Sequence, residues 1–496
     1  MTVWFLILLG LITYLMVQRS VARLTQTPVW LLWLVLMTPA ILWTGWTLMY
    51  GEKQPLPRSV MIWPLVICPI LYWVLFQWGR QPQQDKQTEA QAPQTEPTTV
   101  PSPEPTPVRP IQPNEEQKLR DCFPWSLYYI QNIEYRPQAV ICRGQLRSKP
   151  TEAYQQIKEN IETKFAGRFL VFFQEGVNGK PFFVLVPNTL VTQANTPRQE
   201  EQLKQIGWAL LLLLATLVTT TKVGVEIAGL DLTIRQLQSN PSLILQGLPY
   251  ALALMFILGV HELGHYLMAT RRYKIRSTPP YFIPMPFFLG TFGAFIKMHS
   301  PVPNRKALFD VSIAGPLAGF VVTLPLLIWG LAHSDVVSFP EEKTGLLNPD
   351  ALNPKYSILL ALLSKLALGS QLTPQSAIDL HPVAVAACLG LIVTALNLMP
   401  VGQLDGGHIV HAMFGQRNAI LIGQVARLLL LLLSLVQPGF FLWALILLFI
   451  PLMDEPALND VTELDNQRDV WGLFAMALLV MIILPLPQAI ANLLQI

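Results

Sequence analysis

Long apolar runs punctuate this chain, and most approach the roughly twenty residues that a helix needs to cross a bilayer. They fall near residues 3–18, 29–50 and 59–79, then near 207–227, 247–270, 308–332, 382–399, 428–453 and 470–494. Lipid cannot hydrogen-bond a backbone, so runs of this kind fold as helices that satisfy their own N–H and C=O groups. The expected class is a polytopic α-helical membrane protein with about nine spans. Composition agrees, since only 13% of the 496 residues are charged, against roughly a quarter in ordinary globular chains. The net charge of +3 is small and scattered, which argues against nucleic acid as a partner. Four cysteines, Cys68, Cys122, Cys142 and Cys388, form no C-x-x-C pair, which argues against a disulfide framework or a thiolate metal site.

The first run lacks a basic leader and is followed by Arg19 and Arg23, the pattern of an uncleaved anchor. Residues 1–79 thus read as N-terminal membrane helices. Residues 80–114 are rich in Pro, Gln, Thr and Glu, and Pro97, Pro101, Pro103, Pro105 and Pro107 favour an extended tether. Residues 115–200 read as a small α+β soluble domain inserted after the third span. In it, Tyr154, Ile157, Ile161 and Phe165 recur at helical spacing, so one helix face packs on a sheet. Strands are expected at Ala139–Leu146, 168–174 and 182–186, with a hairpin turn at Asn178-Gly179. Arg143, Arg147, Lys149 and Lys158 read as a solvated face. Lys and Arg cluster on one side of the membrane: Arg19 and Arg23, the whole 80–205 segment, Arg271, Arg272, Lys274, Arg276, Arg305 and Lys306. By the positive-inside bias that side is cytoplasmic, or its organelle equivalent. The stretch 355–369 is short and interrupted by Lys365, which suits an interfacial segment, and Pro438 is placed to split the run 428–453.

Ionisable groups inside a bilayer cost at least a few kcal/mol each, of order 2.5–3.5 by insertion scales, yet the run 247–270 contains His261, Glu262 and His265. Residues four apart share a helix face, so His261 and His265 can present imidazole nitrogens to one ion with Glu262 beside them. The motif His-Glu-Leu-Gly-His has the spacing of zinc proteases. Catalytic Zn²⁺ needs a third protein ligand and an open position for water, whose proton the adjacent carboxylate can take. A source for the third ligand is Asn397-Leu-Met-Pro-Val-Gly-Gln-Leu-Asp-Gly-Gly-His408. Pro400 and Gly402 break the helix there, and Gly406 and Gly407 allow close backbone approach, so Asp405 can point back into the bundle. Taken singly, each motif has a plainer reading: a hydrogen-bonded cluster or a transporter's proton relay for the histidines, a helix N-cap for Asp405. Transporters tend to carry internal repeats, and the 247–270 pattern has no convincing second copy.

Together the two motifs resemble those of the site-2 protease family of intramembrane zinc metalloproteases, peptidase family M50, in which H-E-x-x-H and N-x-x-P-x-x-x-L-D-G-G stand on separate membrane helices. Both are complete here. The resemblance implies one catalytic Zn²⁺ held by His261, His265 and Asp405, Glu262 as the base, and Asn397 holding substrate or transition state near the metal. It implies regulated intramembrane proteolysis, with a membrane-protein substrate cleaved in or near its transmembrane segment. The protease core would cover residues 205–455, leaving a C-terminal loop and membrane helix over 456–496. Gly315-Pro-Leu-Ala-Gly319 also resembles that core and reads as helix packing. No PDZ-like insert separates the motifs. The extra N-terminal spans, Gly144-Gln-Leu-Arg147 and Asn459-Asp-Val-Thr-Glu463 are similar to the chloroplast and cyanobacterial branch that includes the ethylene-dependent gravitropism-deficient and yellow-green proteases.

Between the motifs, residues 290–297 lie between two basic clusters assigned to the same side, so they do not form a complete span. They fold back beside the site, either as a hairpin whose edge adds a substrate strand or as a structural loop packed on the bundle. His265 and His261 lie roughly 9 and 15 Å inside Arg271 at about 1.5 Å per residue, which puts the metal nearer the cytoplasmic face and predicts a narrow polar cleft from that side. His299 reads as an interface residue, His408 and His411 carry no assigned role, and His333 and His381 fall on the far side.

Overall fold

The computed structural model describes residues 27–51, 110–112, 115–176, 179–188, 198–230, 240–286, 289–338, 354–373, 376–436 and 440–494, with scattered residues between 10 and 78. The expected spans at 3–18 and 59–79, most of the tether and Asn178 lie outside the described residues. The chain divides into two units, Met1–Glu104 and Pro105–Ile496. In the first, α1 (Val29–Tyr50) is apolar throughout and contains Pro39.

The second unit opens with a small α+β region, expected from the sequence to be a soluble domain. After a short helix α2 (Glu116–Arg120), strands β1 (Tyr128–Arg136), β2 (Ala139–Leu146), β3 (Phe169–Glu175) and β4 (Pro181–Pro187) form an antiparallel sheet in the order β1-β2-β4-β3. Helix α3 (Pro150–Lys164), begun by a proline that needs no N–H partner there, buries Ala153, Tyr154, Ile157 and Ile161. These meet Val171, Phe173, Phe183 and Leu185 from alternate strand positions, and Phe173 stacks on Phe183 at 4.2 Å. Strand β1 was not expected. A register shift between Ile130 and Asn132 breaks the two-residue alternation by which a strand is read.

The membrane region follows as α4 (Arg198–Ile227), α5 (Leu248–Leu267), hairpin β5 (Tyr281–Pro284) and β6 (Thr291–Phe295), α6 (Arg305–Ala332), β7 (Asp335–Ser338), α7 (Ile358–Leu368), β8 (Ser376–Asp379), α8 (Pro382–Leu398), α9 (Asp405–Val436), α10 (Phe441–Phe449), α11 (Asn466–Ile483) and α12 (Gln488–Leu494). Among the described residues six helices are long and apolar enough to cross a membrane: α1, α4, α5 with its flanking turns, α6, α9 and α11. Helix α8, at 17 residues, is shorter, and most of its residues are buried, from Val383 to Leu398. It is the centre of the bundle, packed by α5 and α6. Small residues allow this: a Cβ on Gly264 would stand 2.6 Å from the Ala314 carbonyl oxygen, and one on Gly330 2.5 Å from the Ala384 nitrogen.

The run expected at 428–453 is divided between Val436 and Phe441, as expected from Pro438, but its first helix starts far earlier. Helix α9 begins at Asp405, and α10 follows separately from Phe441. The polar stretch that hides this start has protein partners: His408 and His411 face Asp454, and Gln416 Nε2 donates to the Asp454 carbonyl at 3.0 Å. Residues 290–295 do fold back as a hairpin, β6 pairing antiparallel with β5. Its turn packs on α4, where Thr219 Oγ1 donates to the Gly290 carbonyl at 2.6 Å. Gly290 has a φ of +82°, and a Cβ there would meet the Thr220 backbone at 2.6 Å, so no other residue fits without strain.

Candidate metal centre

Helix α5 carries the first motif. His261 and His265, one turn apart, are 3% and 7% exposed, and Glu262 is 8% exposed. Beyond them the helix passes into a π-helical turn, Met268–Arg272, an irregularity common at functional sites. Asp405 stands in the first turn of α9, where the positive end of the helix dipole favours a carboxylate. The loop before it is tight: Gly402 has a φ of +51° and a Cβ on it would lie 1.8 Å from the Pro451 carbonyl oxygen. Gly406 and Gly407 would meet the carbonyls of Leu398 and Gly402 at 2.0 and 2.2 Å if either carried a Cβ.

Three donor atoms converge. His261 Nε2 and His265 Nε2 are 3.2 Å apart, and Asp405 Oδ2 lies 3.6 Å from the first and 3.2 Å from the second. Ligand atoms at 2.0–2.1 Å in a tetrahedral zinc site stand about 3.3 Å apart, so these three edges fit a zinc ion. The chemistry of the donors fits too. His265 Nδ1 is 2.7 Å from the Val311 carbonyl of α6, and because a carbonyl only accepts, that nitrogen carries the hydrogen and Nε2 keeps its lone pair, as for metal-bound histidines. Among the described residues this is the one group of three whose ligand atoms lie this close.

The rest of the site surrounds these atoms. Asn397, at the end of α8, places its Nδ2 3.2 Å from His261 Nε2. Strand β6 packs against α5, so the hairpin abuts the helix that carries Glu262. The Asp405 side chain is 17% exposed, against 4% and 9% for the two histidine side chains, so the site opens on the Asp405 side. All five residues singled out from the sequence are thereby brought to one place. From the sequence Gly315 and Gly319 read as packing alone, yet they back the two histidines: a Cβ on Gly315 would be 2.1 Å from His265 Nε2, and one on Gly319 3.2 Å from His261 Cβ and Nδ1. Their four-residue spacing, which matches that of the two histidines, was the available signal. His408 and His411 lie in a separate buried cluster with Asp454 and Asp460.

The fold and the site define a helical bundle in which two histidines and an aspartate could hold a metal ion, with a small α+β region on its N-terminal side. Residues 249–436 match the family described as Peptidase family M50, and residues 117–194 match the EGY3 middle domain. The chain is similar to "Probable zinc metalloprotease EGY2, chloroplastic" of Arabidopsis thaliana, 29% identical over 74% of this chain and 64% of the relative. It is similar to "Probable zinc metalloprotease EGY1, chloroplastic" of the same plant, 28% identical over 77% and 73%. With "Probable zinc metallopeptidase EGY3, chloroplastic", also from Arabidopsis thaliana, it shares 27% identity over 72% and 63%. The chain thus spans just under two thirds of the EGY2 sequence. No solved structure matches it.

Proposed function

We propose that the protein is an intramembrane zinc metalloendopeptidase of the site-2 type, holding one Zn²⁺ and hydrolysing a peptide bond in or near the transmembrane segment of a membrane-protein substrate. The observation that carries this is the triangle of His261 Nε2, His265 Nε2 and Asp405 Oδ2, with edges of 3.2–3.6 Å, beside a buried glutamate. The M50 match and the names of the relatives support it.

His261, His265 and Asp405 would hold the zinc ion, which when bound would supply Lewis acidity toward a water and a carbonyl. Glu262 takes the proton of the attacking water on its carboxylate and returns it to the leaving amide nitrogen. Asn397, through Nδ2, donates to the carbonyl oxygen as negative charge develops on it. Burial of both imidazoles keeps bulk water from competing, and the more exposed Asp405 edge admits the water that reacts. Nine spans, the division at residues 79, 114, 200 and 455, and a metal site facing the cytoplasmic side are part of this proposal, supported by the clustering of Lys and Arg.

The test is Glu262→Gln in the purified full chain. It retains zinc and loses cleavage of a membrane test substrate, whereas His261→Phe loses both. Undiminished cleavage by Glu262→Gln rules out this mechanism.

A further inference from the structure

The segment after α10 grips both helices that frame the metal ligands. On α9, His411 is fully buried, with Nδ1 2.8 Å from Asp454 Oδ2 and Nε2 3.0 Å from Asp460 Oδ1. His408 Nδ1 is 2.7 Å from the same Asp454 oxygen. On α6, the amides of Leu458 and Asn459 donate to the carbonyls of Val302 and Pro303, at 2.9 and 3.1 Å, just before the helix begins. Farther along, Arg468 pairs with Asp310 through two bonds of 2.7 Å, next to the Val311 carbonyl that holds His265. The outer edge of the same segment engages the soluble domain. The Phe173 amide donates to the Leu458 carbonyl at 2.7 Å, the Asp460 amide donates back to the Phe173 carbonyl at 2.9 Å, and the Leu458 side chain joins that domain's core.

The grip matters because α9 is not one rod. Gly415 has φ 80° and ψ 160°, outside helical geometry, so the stretch 405–414 that presents Asp405 takes no direction from the rest of the helix. Its orientation depends on what holds it: the close packing of Gly406 and Gly407 on Leu398 and Gly402, buried Ile409 and Ala412, the carboxylates of Asp454 and Asp460 on His408 and His411, and Arg305 Nε on the Ala412 carbonyl at 2.8 Å. His411 lies six residues from Asp405, about 9 Å along the helix, and its side chain pairs with Asp454 and Asp460, not with His261, His265 or Asp405. The cluster is a tie and not a second metal site, since its donor atoms do not converge as those of the first site do.

We propose that His411 is a positioning residue for the metal centre: anchored by Asp454 and Asp460, it sets Asp405 against His265 and joins the soluble domain to the same assembly. The inference rests on the zinc reading of the first site. Its test uses the full chain, with zinc affinity measured by chelator competition and kcat and KM measured on a membrane test substrate, for His411→Ala, Asp460→Asn and Asp460→Glu. His411→Ala and Asp460→Asn raise the zinc dissociation constant about tenfold to a hundredfold, the range typical of residues that orient ligands, and lower kcat with KM within twofold. Asp460→Glu, which keeps the carboxylate, recovers most of the loss. Wild-type zinc affinity in both variants, with the damage confined to thermal stability, overturns the proposal. Should His411→Ala fail to fold, the isosteric Asp460→Asn decides alone. A wild-type chain that binds no zinc overturns the zinc reading itself, an outcome distinct from failure of the His411 variants.

Discussion

Replacing Gly315 by alanine puts the close approach of α5 and α6 to a quantitative test. The new Cβ would lie 2.1 Å from His265 Nε2, 2.4 Å from Cδ2 and 2.5 Å from Cε1, whereas ordinary contact begins at 3.4 Å. The imidazole or α6 must therefore give by about 1.3 Å, against a tolerance of roughly 0.2 Å for metal–ligand distances. Neither is free to do so, since His265 Nδ1 is bonded to Val311 and Asp310 is held by Arg468. A displacement of about 1 Å costs on the order of a hundredfold in rate, so Gly315→Ala loses zinc on dialysis against a weak chelator and cleaves at least a hundredfold more slowly. Gly319→Ala is the graded control. Its Cβ would meet His261 at 3.2 Å, a few tenths of an ångström too close, and the expected loss is less than about tenfold. Thermal unfolding of both variants separates misfolding from misplacement. Full zinc content and rate in Gly315→Ala, or equal damage in the two, would refute the reasoning.

Asn397→Ala keeps zinc, because its amide is not among the three ligands, and lowers kcat by about 10²–10³, the usual effect of removing one donor to a developing oxyanion; loss of zinc would show it acting on His261 alone. The segment between α10 and α11 has a defined acid response. Burial raises the Asp454 carboxyl, but the hydrogen bonds from His408 and His411 outweigh it and hold the pKa at about 2, below the ordinary value of about 3.9. Its stabilisation is therefore complete above about pH 4 and is lost as pH falls through about 2. Hydrogen exchange at the Phe173 and Asp460 amides should rise in that window and stay flat in Asp454→Asn. Single cysteines placed in 80–114 should react with an impermeant reagent only from the cytoplasmic side; labelling from the opposite face would invert the topology.

The ligand-bearing residues were legible because their spacing is a property of local geometry: His261 and His265 one helical turn apart, and Asp405 after a proline and glycines that end one helix and begin the next. Their convergence was expected from the paired motifs and their resemblance, but the helix start that delivers Asp405 to the histidines was not legible. That start was hidden because counting apolar residues treats His408, His411 and Gln416 as interruptions, whereas each finds a partner in Asp454. Strand β1 escaped for a different reason, the bulge after Ile130. The roles of Gly315 and Gly319 could not be read from α6 by itself, because small residues report close approach without saying what approaches. The segment Asn459-Asp-Val-Thr-Glu463 stood out by resemblance alone, and its physical meaning appears only with its pairing to both Phe173 and Pro303.

Zinc bound per chain, measured on the purified wild type beside Asp405→Ala, bears most directly on whether two distant helices share one ion. The expected values are about one and near zero, in keeping with a three-ligand site that cannot hold its metal on two imidazoles. Equal zinc in both proteins, or none in the wild type after growth with ample zinc, would contradict the assignment.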